Sequence, residues 1–178
     1  MSNMLKQGLV AHFALRLGTA ALLSSCAPSG LPGQQTSDCV VARISDGDSF
    51  RCRDGRRIRL IGIDAPEQQQ RPYAAEAQAA LLRMAPPGAA LKLETDVAPA
   101  DRYGRVLAYA WRESVLVNEA MVREGWAVQY TVPPNVKYAD RLGRAQKEAR
   151  AQGRGLWSGR AFECAPVDFR RGTCLTPL

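Results

Sequence analysis

Histidine is almost missing from this chain. The one histidine in 178 residues, His12, lies in the first 25 residues, which read as a segment removed on export. A mature chain without histidine excludes Ser-His-Asp and Cys-His catalysis, histidine-ligated zinc and zinc deaminase chemistry. No C-x-x-C pair occurs, so a zinc ribbon or a thioredoxin-type motif is not expected. A phosphate-cradling loop of the Gly-x4-Gly-Lys-Ser/Thr type is also lacking, which argues against a P-loop nucleotidase. No run of 18 apolar residues suggests a transmembrane span. Whatever chemistry remains must run on Asp, Glu, Arg, Lys, Tyr, Ser or a metal.

What is present suits one globular domain, two at most. Apolar residues make up 46% of the chain and charged residues 23%, enough to build a core. Lys and Arg number 24 against 17 Asp and Glu, a formal charge of +7. That balance favours an anionic partner, nucleic acid or a membrane surface.

Residues 1–25 read as a bacterial signal peptide, with Lys6 and Arg16 in a basic front and a short apolar run from Leu17 to Leu23. Leu23-Ser24-Ser25-Cys26 is similar to a lipobox, which would make Cys26 the lipidated first residue of a protein anchored in the cell envelope. An ordinary secretory signal is the alternative. Losing residues 1–25, with two positive charges and no negative one, leaves +5. Residues 26–38 read as the lipobox cysteine and a Pro/Gly/Ser linker. Residues 39–160 read as the folded domain and 161–178 as a disulfide-stapled tail. Four cysteines remain after Cys26: Cys39, Cys52, Cys164 and Cys174. An even number in an exported domain predicts two disulfides, with three possible connectivities. Local pairing is expected, because Cys39 and Cys52 flank a hairpin and Cys164 and Cys174 share the tail.

Along the chain, Cys39 to Ser45 reads as a strand and Asp46-Gly47 as a two-residue turn needing positive φ. Asp48 to Arg53 then returns, Asp54-Gly55 turns again, and Arg56 to Ile63 forms a third strand. Pro72 opens a helix over Tyr73 to Met84, ended by Pro86-Pro87-Gly88. Ala90 to Thr95 and Val106 to Trp111 alternate as strands. Leu116 to Glu124 and Tyr138 to Gln152 read as helices, and Trp157 is expected to pack its ring on the core. No internal repeat is evident. The order predicts an α+β fold, a small five-stranded OB-type barrel with about three helices.

Three clusters carry chemistry: Asp46-Gly47-Asp48, Asp64-Ala65-Pro66-Glu67 beyond Arg59, and Asp101-Arg102-Tyr103-Gly104-Arg105. Carboxylates bind Ca²⁺ or Mg²⁺ and can deprotonate water. Arginines grip phosphate in two-pronged fashion and stabilise charge in a transition state. Each cluster alone is ordinary turn chemistry; their joint order is not.

Ile44 to Ser49, Arg59 to Glu67, Asp101 to Tyr109, Val117 to Gly125 and Gly155 to Ser158 together resemble the staphylococcal nuclease family. The resemblance implies an OB-fold and Ca²⁺-dependent cleavage of DNA and RNA leaving 3′-phosphate ends. It implies that Asp48 and Asp64 bind Ca²⁺ with the backbone carbonyl of Ala65, and that Asp46 stands behind them. It makes Glu67 the general base and Arg59 and Arg105 the phosphate-binding pair. Arg102, Tyr103 and Tyr130 fall at nucleotide-binding positions. The chain departs from the family's best-known member in Ala65, where that member has Thr, and in Gln68 to Arg71, where it has a longer Lys-rich loop. A monomer is expected. The competing reading is a nucleic-acid-binding OB module without catalysis.

Overall fold

The computed structural model describes residues 35–174. The expected signal peptide, Cys26 and residues 27–34 of the expected linker lie outside the described residues; Thr36 to Asp38, expected as linker, are instead the start of a strand paired along Lys92 to Glu94. In chain order come β1 (Thr36–Ile44), β2 (Ser49–Cys52), β3 (Arg57–Leu60), β4 (Gly62–Asp64), α1 (Tyr73–Met84), β5 (Ala90–Glu94), β6 (Val106–Arg112), β7 (Val115–Leu116), α2 (Val117–Arg123), β8 (Val128–Tyr130) and α3 (Ala139–Ala151). Two 3-10 turns, Gly155–Ser158 and Ala161–Glu163, lead to α4 (Pro166–Arg171).

The strands run β3-β2-β1-β5-β6-β7, and parallel pairing of β3 with β6 closes the first five into a barrel. The long β1 makes this possible. Its first half pairs with β5 and its second half with β2, with a register shift between Val41 and Arg43. Such an irregularity turns a strand from one side of a barrel to the other. Inward positions alternate as a pleated strand demands. Ile58 and Leu60 of β3, Leu91 and Leu93 of β5, and Ala108 and Ala110 of β6 are all buried. Ala77, Ala80 and Leu81 of α1, Met121 and Val122 of α2, and Leu142 and Ala145 of α3 cover the ends. The α+β, five-stranded OB-type barrel expected from the sequence is therefore the fold, with α4 as a fourth helix.

Buried polar groups lock the strands. Asn118, wholly buried, accepts from the amide of Ala110 at 2.9 Å and donates to the carbonyl of Ile61 at 2.8 Å. The disulfides join Cys39 to Cys52 and Cys164 to Cys174, the local pairing expected. Closing the 13-residue separation between Cys39 and Cys52 stabilises by about 3 kcal/mol on chain-entropy grounds.

Four further readings are corrected. The third strand does not run unbroken from Arg56 to Ile63: it stops at Leu60 and resumes at Gly62 as β4, which pairs with β8 instead. Asp46-Gly47 is not a two-residue turn with positive φ. Residues 45–48 form a longer connection, and Gly47 lies outside the left-handed region. Glycine is needed there for space, since a Cβ would stand 2.6 Å from that of Ala65 and 2.8 Å from that of Ala77. Leu156, rather than Trp157, enters the core; Trp157 packs on Phe162 at 4.5 Å between ring centres. Finally, the tail is not only a staple, because it reaches the acidic clusters.

Candidate active site

The break between β3 and β4 assembles the site. Gly62 has φ +79°, and a Cβ there would meet Leu142 Cδ1 at 2.5 Å, so only glycine turns the chain comfortably at this point. Arg59 before the turn and Asp64 after it then face one another. Arg59 Nη2 donates to Asp64 Oδ1 at 3.0 Å, and its Nη1 pairs with Asp48 Oδ2 at 2.7 Å. One planar guanidinium thus joins two buried aspartates from separate segments, a geometry that lysine cannot reproduce.

Asp48 is fixed from several sides. Its Oδ2 accepts from the amide of Ala65 at 2.9 Å and its Oδ1 from the Ser49 hydroxyl at 3.0 Å. Its own amide donates to Asp46 Oδ1 at 3.0 Å. Burial, and then the neighbouring Asp48 charge, push the Asp46 carboxyl up to about 6. Burial also raises Asp64, and the opposing pull of Arg170 and Arg59 does not fully offset it. Four carboxylates, Asp46, Asp48, Asp64 and Glu67, thus share the site with two guanidiniums, those of Arg59 and Arg170. Such an all-oxygen, acid-rich set fits a hard divalent cation. Among the described residues no three His, Cys, Asp or Glu side chains form a metal cage by themselves. A cation held by Asp48 and Asp64 would draw its other ligands from backbone oxygen, as at Ala65, and from water.

A cleft of about 680 Å³ runs over this cluster. Its walls bring together Asp46, Asp48, Arg59, Asp64, Ala65 and Glu67 with Arg102, Tyr103, Arg105 and Tyr130. The loop before β6 presents the second arginine. Asp101 pairs with Arg105 Nε at 2.7 Å and accepts from the amides of Tyr103 and Arg105. Arg102 donates to the Tyr103 hydroxyl at 2.8 Å, its guanidinium 4.9 Å from that ring's centre. Tyr103 is 57% exposed, an open aromatic face beside cations that suits a nucleobase.

Two residues that sequence reasoning missed also belong here. Arg170 of α4 donates to both oxygens of Asp64, at 3.0 and 2.9 Å, and to Glu67 Oε1 at 2.6 Å. Gln70, wholly buried, accepts from the amide of Glu67 at 2.9 Å and donates to the carbonyl of Cys164 at 3.0 Å. The cysteine spacing marked a closed loop carrying Arg170-Arg171. No local pattern says which wall that loop meets.

A family model described as staphylococcal nuclease homologue matches residues 57–159. A thermonuclease from Staphylococcus hyicus is 35% identical over 138 residues, covering 73% of this chain and 81% of that protein. A thermonuclease from Staphylococcus intermedius is 36% identical over 126 residues, or 66% and 74% of the two chains. An endonuclease from Bacillus subtilis is 32% identical over 126 residues, covering 65% of this chain and 59% of its own length.

Proposed function

The chain belongs to the staphylococcal nuclease family, and on that premise we propose that it is a Ca²⁺-dependent nuclease that hydrolyses phosphodiester bonds of DNA or RNA. The observation that carries the reading is the joining of Asp48 and Asp64 by Arg59 on the wall of a cleft that also holds Glu67 and Arg105. A silent binding module would have no need of all five.

In this reading Asp48, Asp64 and the Ala65 carbonyl hold Ca²⁺, with Asp46 behind them. The ion, when bound, supplies positive charge to the phosphate oxygens. Glu67 takes the proton from the attacking water at its carboxylate. Arg59 and Arg105 grip the phosphate and gain strength as charge builds on it. Tyr103, Arg102 and Tyr130 set the nucleotide in place. Asp101 aims Arg105, and the barrel keeps these groups on rigid elements.

Export belongs to the same proposal, with Cys26 lipidated and the domain acting as a monomer outside the cytoplasm; the two disulfides favour an oxidising compartment. Mass spectrometry of the mature protein should find a lipidated N-terminal Cys26, and an unlipidated start further on would refute the anchor. The test of the activity is incubation with DNA and with RNA, in Ca²⁺ and in excess EDTA. Cleavage that EDTA abolishes is expected, and cleavage undiminished by EDTA would reject the metal site.

A further inference from the structure

The disulfide-closed tail, residues 164–174, is built into the active-site wall rather than laid over it. Gln70 ties its first residue, through the Cys164 carbonyl, to the amide of Glu67. From that anchor α4 carries Arg170 back across the cleft. Its guanidinium caps the Asp64 carboxylate at both oxygens, reaches Glu67 Oε1, and lies 5.7 Å from the centre of the Tyr130 ring. We propose that Arg170 is a further active-site residue, a tethered cation that competes with the divalent ion for Asp64.

The geometry gives the reason. A carboxylate offers about four lone-pair directions. On Asp64, Arg59 takes one at Oδ1 and Arg170 takes one at each oxygen. A Ca²⁺ ion on the remaining direction, at the usual Ca–O distance, can be no more than about 5.5 Å from the Arg170 Nη2 atom that already lies 2.9 Å from Oδ2. Asp64 already shares its charge between two guanidiniums, and Arg59 is held by Asp48 as well, so a divalent ion at this distance repels Arg170 and competes with it for the same carboxylate. One of them leaves, and Arg170 is the one that can. Its side chain is 38% exposed whereas that of Asp64 is 1% exposed, so the arginine can swing into the cleft while its tether holds. Once released, it remains beside the place where a phosphate would bind. The tail would then set how much Ca²⁺ the site needs, and would hold Glu67 in an ion pair until the metal arrives.

This inference rests on the Ca²⁺ site proposed above, so its test measures binding rather than cleavage. Calorimetric titration of the full chain with Ca²⁺ would compare the wild type with Arg170→Ala, Arg170→Lys and Arg171→Ala. The last removes the same charge from the neighbouring, exposed position and controls for net charge. Arg170→Ala should bind Ca²⁺ about tenfold more tightly. Arg170→Lys, which keeps the charge without the fork, should fall between it and the wild type. Arg171→Ala should stay within about twofold of the wild type. Unfolding transitions of each variant establish that it is folded. Unchanged or weaker Ca²⁺ binding by Arg170→Ala and Arg170→Lys, in a protein that does bind Ca²⁺, would overturn the competition alone. Failure of the wild type and of every variant to bind Ca²⁺ would overturn the metal site and the competition together.

Discussion

Arg59, next to the end of β3, and Asp64, the end of β4, are joined at 3.0 Å across the break before Gly62, on two strands that the sequence presents as one. The same guanidinium holds Asp48 at 2.7 Å. The proposed site therefore depends on Arg59 twice, for the contact with phosphate proposed for it and for keeping two buried acids together. Arg59→Ala should lower stability by about 3 kcal/mol, because it leaves Asp48 buried without its cation, whereas Asp64 keeps Arg170. Arg59→Lys should fold but lose ~10²-fold in kcat, since the planar fork is gone. Denaturant titration and steady-state kinetics read the two effects separately. A lysine variant that cleaves at the wild-type rate would contradict the role.

Gly47 should be intolerant of even a methyl group. Its missing Cβ would overlap the Cβ atoms of Ala65 and Ala77, both on packed backbone. Gly47→Ala should cost about 1–3 kcal/mol and displace Asp48 from Arg59. A variant with wild-type stability would show that the connection at 45–48 yields more easily than its packing implies.

Gln70→Ala should release the tail from the Glu67 loop. It would leave the Glu67 amide and the Cys164 carbonyl without the partners they have at 2.9 and 3.0 Å. The expected cost is about 1–3 kcal/mol, with faster hydrogen exchange confined to residues around 67 and 164. Uniform exchange rates across the domain would argue that Gln70 only fills space.

Asp101 gives a pH signature. Burial alone would raise its carboxyl, but the hydrogen bonds from the Arg105 amide and side chain and from the Tyr103 amide outweigh it and hold Asp101 below the usual carboxylate range. A depressed folded-state pKa stabilises above the unfolded value and is lost as pH falls through the folded one. The stability difference between wild type and Asp101→Asn should therefore be full above about pH 5 and vanish in stronger acid. A difference that grows on acidification would reverse the assignment.

Much of this architecture was legible in the residues. Pro72 and Pro86-Pro87-Gly88 mark the ends of α1, and alternation marks β5, because local sterics and a one-sided core dictate both; β6 is marked instead by a continuous apolar run, buried on both faces at Ala108 to Ala110. The three acidic and basic clusters could be found because each is contiguous in sequence. The break at Gly62 could not be read, since Arg56 to Ile63 alternates plausibly as one strand; the turn is set by Leu142 of α3 pressing on Gly62 and by β4 pairing with β8. Gly47 was misread for a similar reason: its constraint comes from Ala77, thirty residues on, and not from a local turn. Arg170 was invisible because 103 residues separate it from Glu67, and nothing but tertiary packing brings them together.

The measurement that bears most directly on the central claim is turnover and nucleic-acid binding by Glu67→Gln beside the wild type, on one substrate, at one salt concentration and in Ca²⁺. The substitution keeps the shape of the side chain and its reach toward Arg170 while removing the carboxylate proposed to take the proton. Turnover should drop ~10²-fold or more, with binding largely retained. Cleavage by Glu67→Gln at the wild-type rate would contradict the account, leaving the chain as a nuclease that works from some other group.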